Sequence, residues 1–235
     1  MRKARYLAQI TIVTAALAAG AAACGSSGSS DPLAGMTSKQ IAQQAVTGTE
    51  AQSSVRIAGT GSDSGQTFSI DLTLVKGKGC QGTISEGNVG SFKLVYDLST
   101  VWVLPDSKFY QASGVPAAAQ TVLDGKYLKV KATSGNGIGS LAQICKVSNL
   151  LNQFTKDASP TAKGVNTTVA GQPAVKITDN TGTGFAYVTD TAPPKLLQVT
   201  KPGTGGGTIT FTYGTATSIT PPPASQVIDG SKYGF

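Results

Sequence analysis

Thr67-Phe68-Ser69-Ile70-Asp71-Leu72-Thr73-Leu74 alternates polar and apolar residues without a break. A two-residue period puts Phe68, Ile70, Leu72 and Leu74 on one side of an extended chain, with the hydroxyls and Asp71 on the other. That is the pattern of an antiparallel strand with one buried face. The same period recurs on both sides of this stretch. Upstream, Val55 and Ile57 flank Arg56, and Ser62-Asp63-Ser64-Gly65 supplies turn chemistry. Downstream, Gly77-Lys78-Gly79 turns into a strand over 80–85, and Glu86-Gly87-Asn88 turns again. Residues 91–96 then put Phe92, Leu94 and Tyr96 on one side. Residues 101–104 and 108–111 read as a further hairpin around Pro105-Asp106-Ser107.

Helical spacing appears in three places. Thr37-Ser38-Lys39-Gln40 fits a capping box, and Ile41, Ala42, Ala45 and Val46 then share one helical face, with Gly48 ending or weakening the helix. Residues 115–123 are Ala-rich and suit a short helix, and Gly125-Lys126-Tyr127-Leu128-Lys129-Val130 returns to an extended chain. Over 140–154, Leu141, Ile144, Val147, Leu150, Leu151 and Phe154 recur at helical intervals, predicting one or two amphipathic helices. Five strands follow, over 164–168, 173–179, 184–189, 195–200 and 208–213, joined by short turns that favour up-and-down pairing. The expected fold is α+β: one large curved antiparallel sheet, a half-barrel, with helices packed on one face of a single domain.

The N-terminus reads as an export signal. A basic start (Arg2, Lys3, Arg5) precedes an apolar run from Tyr6 and a small-residue zone ending Ala21-Ala22-Ala23-Cys24. Those four residues resemble the bacterial lipobox, in which the cysteine thiol is diacylated and the chain cut before it. An ordinary signal peptide and an uncleaved anchor are the alternatives, but the run is short for a span and rich in Ala and Gly. The domain plan is a signal over 1–23, a Gly/Ser-rich tether over 24–35, a folded domain over 36–221 and a tail over 222–235. The expected location is the extracytoplasmic side of the cell membrane, held by a diacylglyceryl anchor on Cys24.

Composition narrows the functions. Losing Arg2, Lys3 and Arg5 lowers the net charge from +7 to about +4. The remaining lysines are scattered and Arg56 is the sole remaining arginine, which argues against nucleic acid as a partner. Of the three cysteines, lipidation takes Cys24 and leaves Cys80 and Cys145. In an oxidising compartment the pair is expected to join, closing a loop of about 65 residues, for roughly 4 kcal/mol of stabilisation. Two buried free thiols are the other reading. The chain has no histidine, which removes imidazole general-base catalysis. It has no Gly-x-Ser-x-Gly elbow, and Gly203-Thr204-Gly205-Gly206-Gly207-Thr208 lacks the Gly-Lys-Ser/Thr ending of a phosphate cradle. Neither metal nor cofactor is expected, and the chain is read as a non-enzyme and a monomer.

In the order of its parts, the chain resembles the LolA-like, LppX/LprG-type family of actinobacterial lipoproteins. The resemblance is carried by the Cys24 signal and its tether, the helix near Thr37 and the strands ending in Val101-Trp102-Val103. It continues through Gly125-Lys126-Tyr127-Leu128-Lys129-Val130 and Thr167-Thr168-Val169-Ala170-Gly171-Gln172-Pro173-Ala174-Val175-Lys176-Ile177. It implies a half-barrel whose helix-covered face encloses an apolar cavity for a lipid or glycolipid at the cell envelope. The candidate lining from the strands is Phe68, Ile70, Leu72, Phe92, Leu94 and Tyr96, together with Trp102. From the helical segment it is Leu141, Ile144, Leu151 and Phe154. The competing reading is a structural or interaction lipoprotein in which these residues are ordinary core.

Overall fold

A computed structural model describes residues 31–63, 65–133, 137–155, 159–214 and 216–234. The signal, Cys24 and most of the tether lie outside the described residues. Twelve strands form one sheet in the order β12-β6-β5-β4-β3-β2-β1-β11-β10-β9-β8-β7. The first meander is β1 (Ser54–Asp63), β2 (Gln66–Val75), β3 (Gly79–Glu86), β4 (Gly90–Tyr96) and β5 (Thr100–Pro105), with β6 (Tyr127–Lys131) added after a helical excursion. The second is β7 (Pro160–Val169), β8 (Gln172–Asp179), β9 (Phe185–Thr189), β10 (Leu196–Lys201) and β11 (Gly207–Tyr213). β12 (Val227–Asp229) comes last and, among the described residues, is the one strand that pairs in parallel, on β6. The sheet stays open, with β7 at one edge and β12 at the other. Among the described residues no helix is long and apolar enough to cross a membrane.

The two meanders meet where β1 pairs with β11, from Val55 opposite Tyr213 to Gly61 opposite Gly207. Gly59 faces Ile209 at the middle of this seam. A Cβ there would lie 2.0 Å from the Thr208 carbonyl oxygen and 2.9 Å from the Ile209 Cα. Two main chains pass each other at that point with no room for a side chain between them.

Register sorts the side chains into two faces. Val55 and Ile57 align with Leu74 and Leu72 of β2, and these with Cys80 and Gly82 of β3 and with Tyr96 and Leu94 of β4. This face joins one buried cluster with Ile41 and Ala45 of α1 (Ser38–Glu50) and Tyr110 of α2 (Ser107–Ala112). Leu123 of α3 (Ala117–Leu123), Ile138 of the 3₁₀ turn Ile138–Gln143, and Leu150 and Leu151 of α4 (Val147–Thr155) belong to it too. Every helix that contributes to the core therefore packs on the same face. The opposite face is polar along β1 and β2, where Arg56 donates from Nε and Nη2 to Asp71 at 2.7 Å each.

α1 begins as read, with a capping box between Thr37 and Gln40. Its far end is pinned to β10. The Leu196 N–H donates to the Thr49 hydroxyl at 3.0 Å, and that hydroxyl also bonds the Tyr213 phenol at 3.0 Å. Burial pushes the Tyr213 phenol up to about 12, against the opposing Thr49 hydrogen bond, so it stays neutral. Ahead of α1, Asp31 receives Lys163 of β7 at 2.9 Å, and the same lysine donates to the Leu33 carbonyl at 3.0 Å.

One expected strand is a helix. Residues 108–111, read as the return of a hairpin, belong to α2. Pro105 ends β5, and Asp106 then accepts the Phe109 N–H as a helix cap. The tail also enters the sheet. Thr217 receives Lys78, the Thr220 N–H donates to the Gln81 side chain at 3.1 Å, and Ser225 receives Lys126 at 3.2 Å. Thr220 and Ser225 are thus fixed over β3 and at the head of β6, about 14 Å apart across three strand spacings. The five residue steps from Thr220 to Ser225, Pro221-Pro222-Pro223 among them, cover that span at about 3.1 Å per extended step. On the face away from the helices, Gln81, Val95, Trp102 and Lys129 stand side by side in a row that runs from β3 to β6. Trp102 there is only 7 % exposed.

Candidate functional site

The connection between β5 and β6 builds an arch. Asp106 anchors its start: one carboxylate oxygen accepts the Phe109 N–H at 2.7 Å, and the other accepts both the N–H and the hydroxyl of Ser91 at 2.8 Å. Burial alone would raise the Asp106 pKa, but the bonds from Phe109 and Ser91 outweigh it and hold the carboxyl below its ordinary 3.8. Its stabilising contribution is therefore complete above the ordinary carboxylate value and is lost as pH falls through the lowered folded value. Asp106→Ala is expected to cost about 1–2 kcal/mol at neutral pH, the usual worth of a helix cap. In urea titrations repeated down to acid pH, the gap between variant and native chain should close as the native carboxyl protonates.

The cap directs Phe109 onto Phe92 of β4, the two rings meeting edge-on with centroids 5.6 Å apart. Tyr110 is buried beside it and donates to the Leu123 carbonyl at 3.3 Å. Burial, and then the charge of Asp124, push this phenol up to about 12. The Gln120 side chain donates to the Val115 carbonyl at 2.7 Å, so α2, the connection 113–116 and α3 are tied to one another.

Against this arch lies a pocket of about 540 Å³. Phe92 lines it from the sheet, Phe109, Val115, Ala119 and Leu123 from the arch, and Ile138 and Leu141 from the 3₁₀ turn. Tyr233 and Gly234, at the end of the turn Gly230–Tyr233, complete the rim. The turn that carries Leu141 is joined to β3 through Cys145, which forms a disulfide with Cys80 with the Cα atoms 5.3 Å apart.

A larger cleft of about 780 Å³ lies on the other side of α2, at the β1–β2 hairpin end of the sheet. Its walls carry glycines, hydroxyls and the charged residues Glu86, Asp106, Lys108 and Lys201, with Phe68 the aromatic among them. Several of those polar groups are already bonded to each other, Ser69 to Ser85 at 2.7 Å and Thr200 to Thr208 at 3.2 Å. Lys108 is engaged by the Gly87 carbonyl. The smaller pocket is the better apolar site because its lining is aromatic and aliphatic.

The candidate lining residues are dispersed. Ile70, Leu72, Leu94 and Leu151 are buried in the continuous core, with Tyr96 and Ile144 packed against it. Phe92 and Leu141 come together in the pocket, and Phe68 lines the polar cleft instead. Trp102 lies on the opposite face, because β5 alternates and its neighbours Val101 and Val103 hold the core positions. Phe154 is in α4, and its side chain lies outside the described residues. Sequence reading missed Phe109, Val115, Ala119, Leu123, Ile138 and Tyr233. Asp106, three residues before Phe109 and directly after a proline, is the one local signal that marks a helix there.

An open, mostly antiparallel curved sheet with its helices on one face defines a single-domain α+β protein of the LolA-like half-barrel kind. The crystal structure of LprF from Mycobacterium bovis shares this fold. It matches with a TM-score of 0.53 over 80% of this chain and 97% of that one, at 15% sequence identity. The match bears out the LppX/LprG-like fold read from the sequence. No family model and no curated protein matches the chain.

Proposed function

We propose that the chain is a membrane-anchored extracytoplasmic lipoprotein that binds an amphipathic lipid, with an acyl chain seated in the pocket between the arch and the sheet. The observation that carries this reading is the pocket itself: about 540 Å³, lined by Phe92, Phe109, Val115, Leu123, Ile138 and Leu141. Its size lies within the range of ordinary ligand sites, and its lining offers contact area to a hydrocarbon. The diacylglyceryl anchor on Cys24 would hold the domain where such lipids are found. Binding of this kind asks for no catalytic group. The likeness in fold to LprF supports the half-barrel architecture on which the reading is built.

A second reading has one observation in its favour. Ile70, Leu72, Leu94 and Leu151 fill much of the helix-side face with solid core, which suits a structural or interaction lipoprotein. Ala119 separates the two, because it faces the pocket from α3 and is small. Ala119→Trp should fill the pocket and weaken palmitate binding at least ~10-fold, since a bulky side chain occupies the ligand's own volume. Titration of native chain and variant with palmitate, read by native mass spectrometry, checks this. A native chain that takes up no palmitate or other long-chain lipid would favour the structural reading.

A further inference from the structure

We infer that Tyr233 is the gate of this pocket and the donor to the ligand's polar head; the inference rests on the lipid-binding reading above. Tyr233 reaches the rim from a part of the chain remote in sequence from the arch. It is 44 % exposed, and among the described residues its hydroxyl bonds to no protein group. An apolar ring with a free hydroxyl at the mouth of an apolar pocket suits the junction between a hydrocarbon chain and a hydrogen-bond-accepting head such as a carboxylate.

The segment behind Tyr233 packs on β6, with Ile228 against the core and Gly230 buried beside Val130. It is held by β12, three residues paired in parallel with β6 at the open edge of the sheet. The turn itself is organised locally: the Asp229 carboxylate accepts the Ser231 N–H at 3.1 Å and the Ser231 hydroxyl at 2.7 Å. Upstream, the strap is fixed through the exposed bonds of Lys78, Gln81 and Lys126. Short edge pairings and exposed polar bonds lie at the low end of local opening free energies. The turn can therefore swing away while the seam between β1 and β11 and the main core stay intact, and the pocket opens at its rim.

Two variants test this in the full chain, with palmitate as ligand. Tyr233→Ala removes the ring and should release palmitate about tenfold faster in stopped-flow displacement, because the rim no longer closes. Tyr233→Phe keeps the ring and removes the donor. It should leave the closing of the rim in place and weaken palmitate about tenfold, the usual loss for a hydrogen bond to a charged group. Trp102 is the sole tryptophan and is 7 % exposed on the face away from the helices, so unchanged emission in both variants shows that the sheet keeps its fold. Release rates and affinities within twofold of the native chain in both variants overturn the gate and the donor together. A native chain that takes up neither palmitate nor another long-chain lipid fails at the earlier step and overturns the lipid-binding reading instead.

Discussion

The C80A/C145A double variant should lose about 4 kcal/mol of unfolding free energy. Cys80 is fully buried in β3 and Cys145 follows the turn that carries Ile138 and Leu141. The bond closes a loop with a sequence separation of 65 residues. Cross-linking a loop of that length removes about 4 kcal/mol of chain entropy from the unfolded state. The folded state loses something too. The 3₁₀ turn meets the sheet at β5 and β6, and the disulfide is its covalent tie to β3. Urea unfolding should show the midpoint falling, and limited proteolysis should cut first between β6 and β7. Loosening this turn frees one wall of the pocket, so lipid binding should weaken with it. A midpoint shift worth less than about 1 kcal/mol would mean that apolar contacts alone hold the turn.

The second large effect is expected at the seam. Gly59→Ala adds one methyl group where the nearest atoms are the Thr208 carbonyl oxygen at 2.0 Å and the Ile209 Cα at 2.9 Å. Both belong to main chain, so no rotamer change relieves the clash. Overpacking usually costs 1–3 kcal/mol where side chains can give; here strands must part, and about 3 kcal/mol is expected. The seam is where the first meander is hydrogen-bonded to the second. Hydrogen exchange should therefore show lost protection in β1 and β11 ahead of β3 and β4. Equal protection in all four strands, with an unchanged urea midpoint, would show that the seam tolerates the methyl group.

The strands of both meanders were legible because each alternates with period two between turns rich in Gly, Asn and Asp, and one buried face makes that alternation obligatory. The helix at Ser107–Ala112 was not, because Lys108-Phe109-Tyr110-Gln111 is too short to show a helical period and carries strand-favouring aromatics; the cap at Asp106 decided the outcome. Val101-Trp102-Val103 is apolar throughout, so period alone could not say which face Trp102 takes. The answer depended on Val101 and Val103 taking the core positions on either side of it. β12 has three residues, too few for any period to show. The cysteine pair was legible from the odd cysteine count. The pocket was only half legible: alternation marks a buried face, but it does not distinguish a face filled by core from one left open beside an arch.

The bond between Asp31 and Lys163 has a mechanical consequence. It fastens the start of the described chain to β7, the edge strand of the second meander. The pocket borders β4, eight steps away across the sheet, or about 40 Å of arc. A chain lipidated at Cys24 would have about 25 Å of fully stretched tether before Asp31. The domain would then be held by one rim with its mouth on the far side, as a flag is held by its hoist edge. Leverage of that kind would let the mouth tilt toward or away from a bilayer, and tether length would then set how often the two meet.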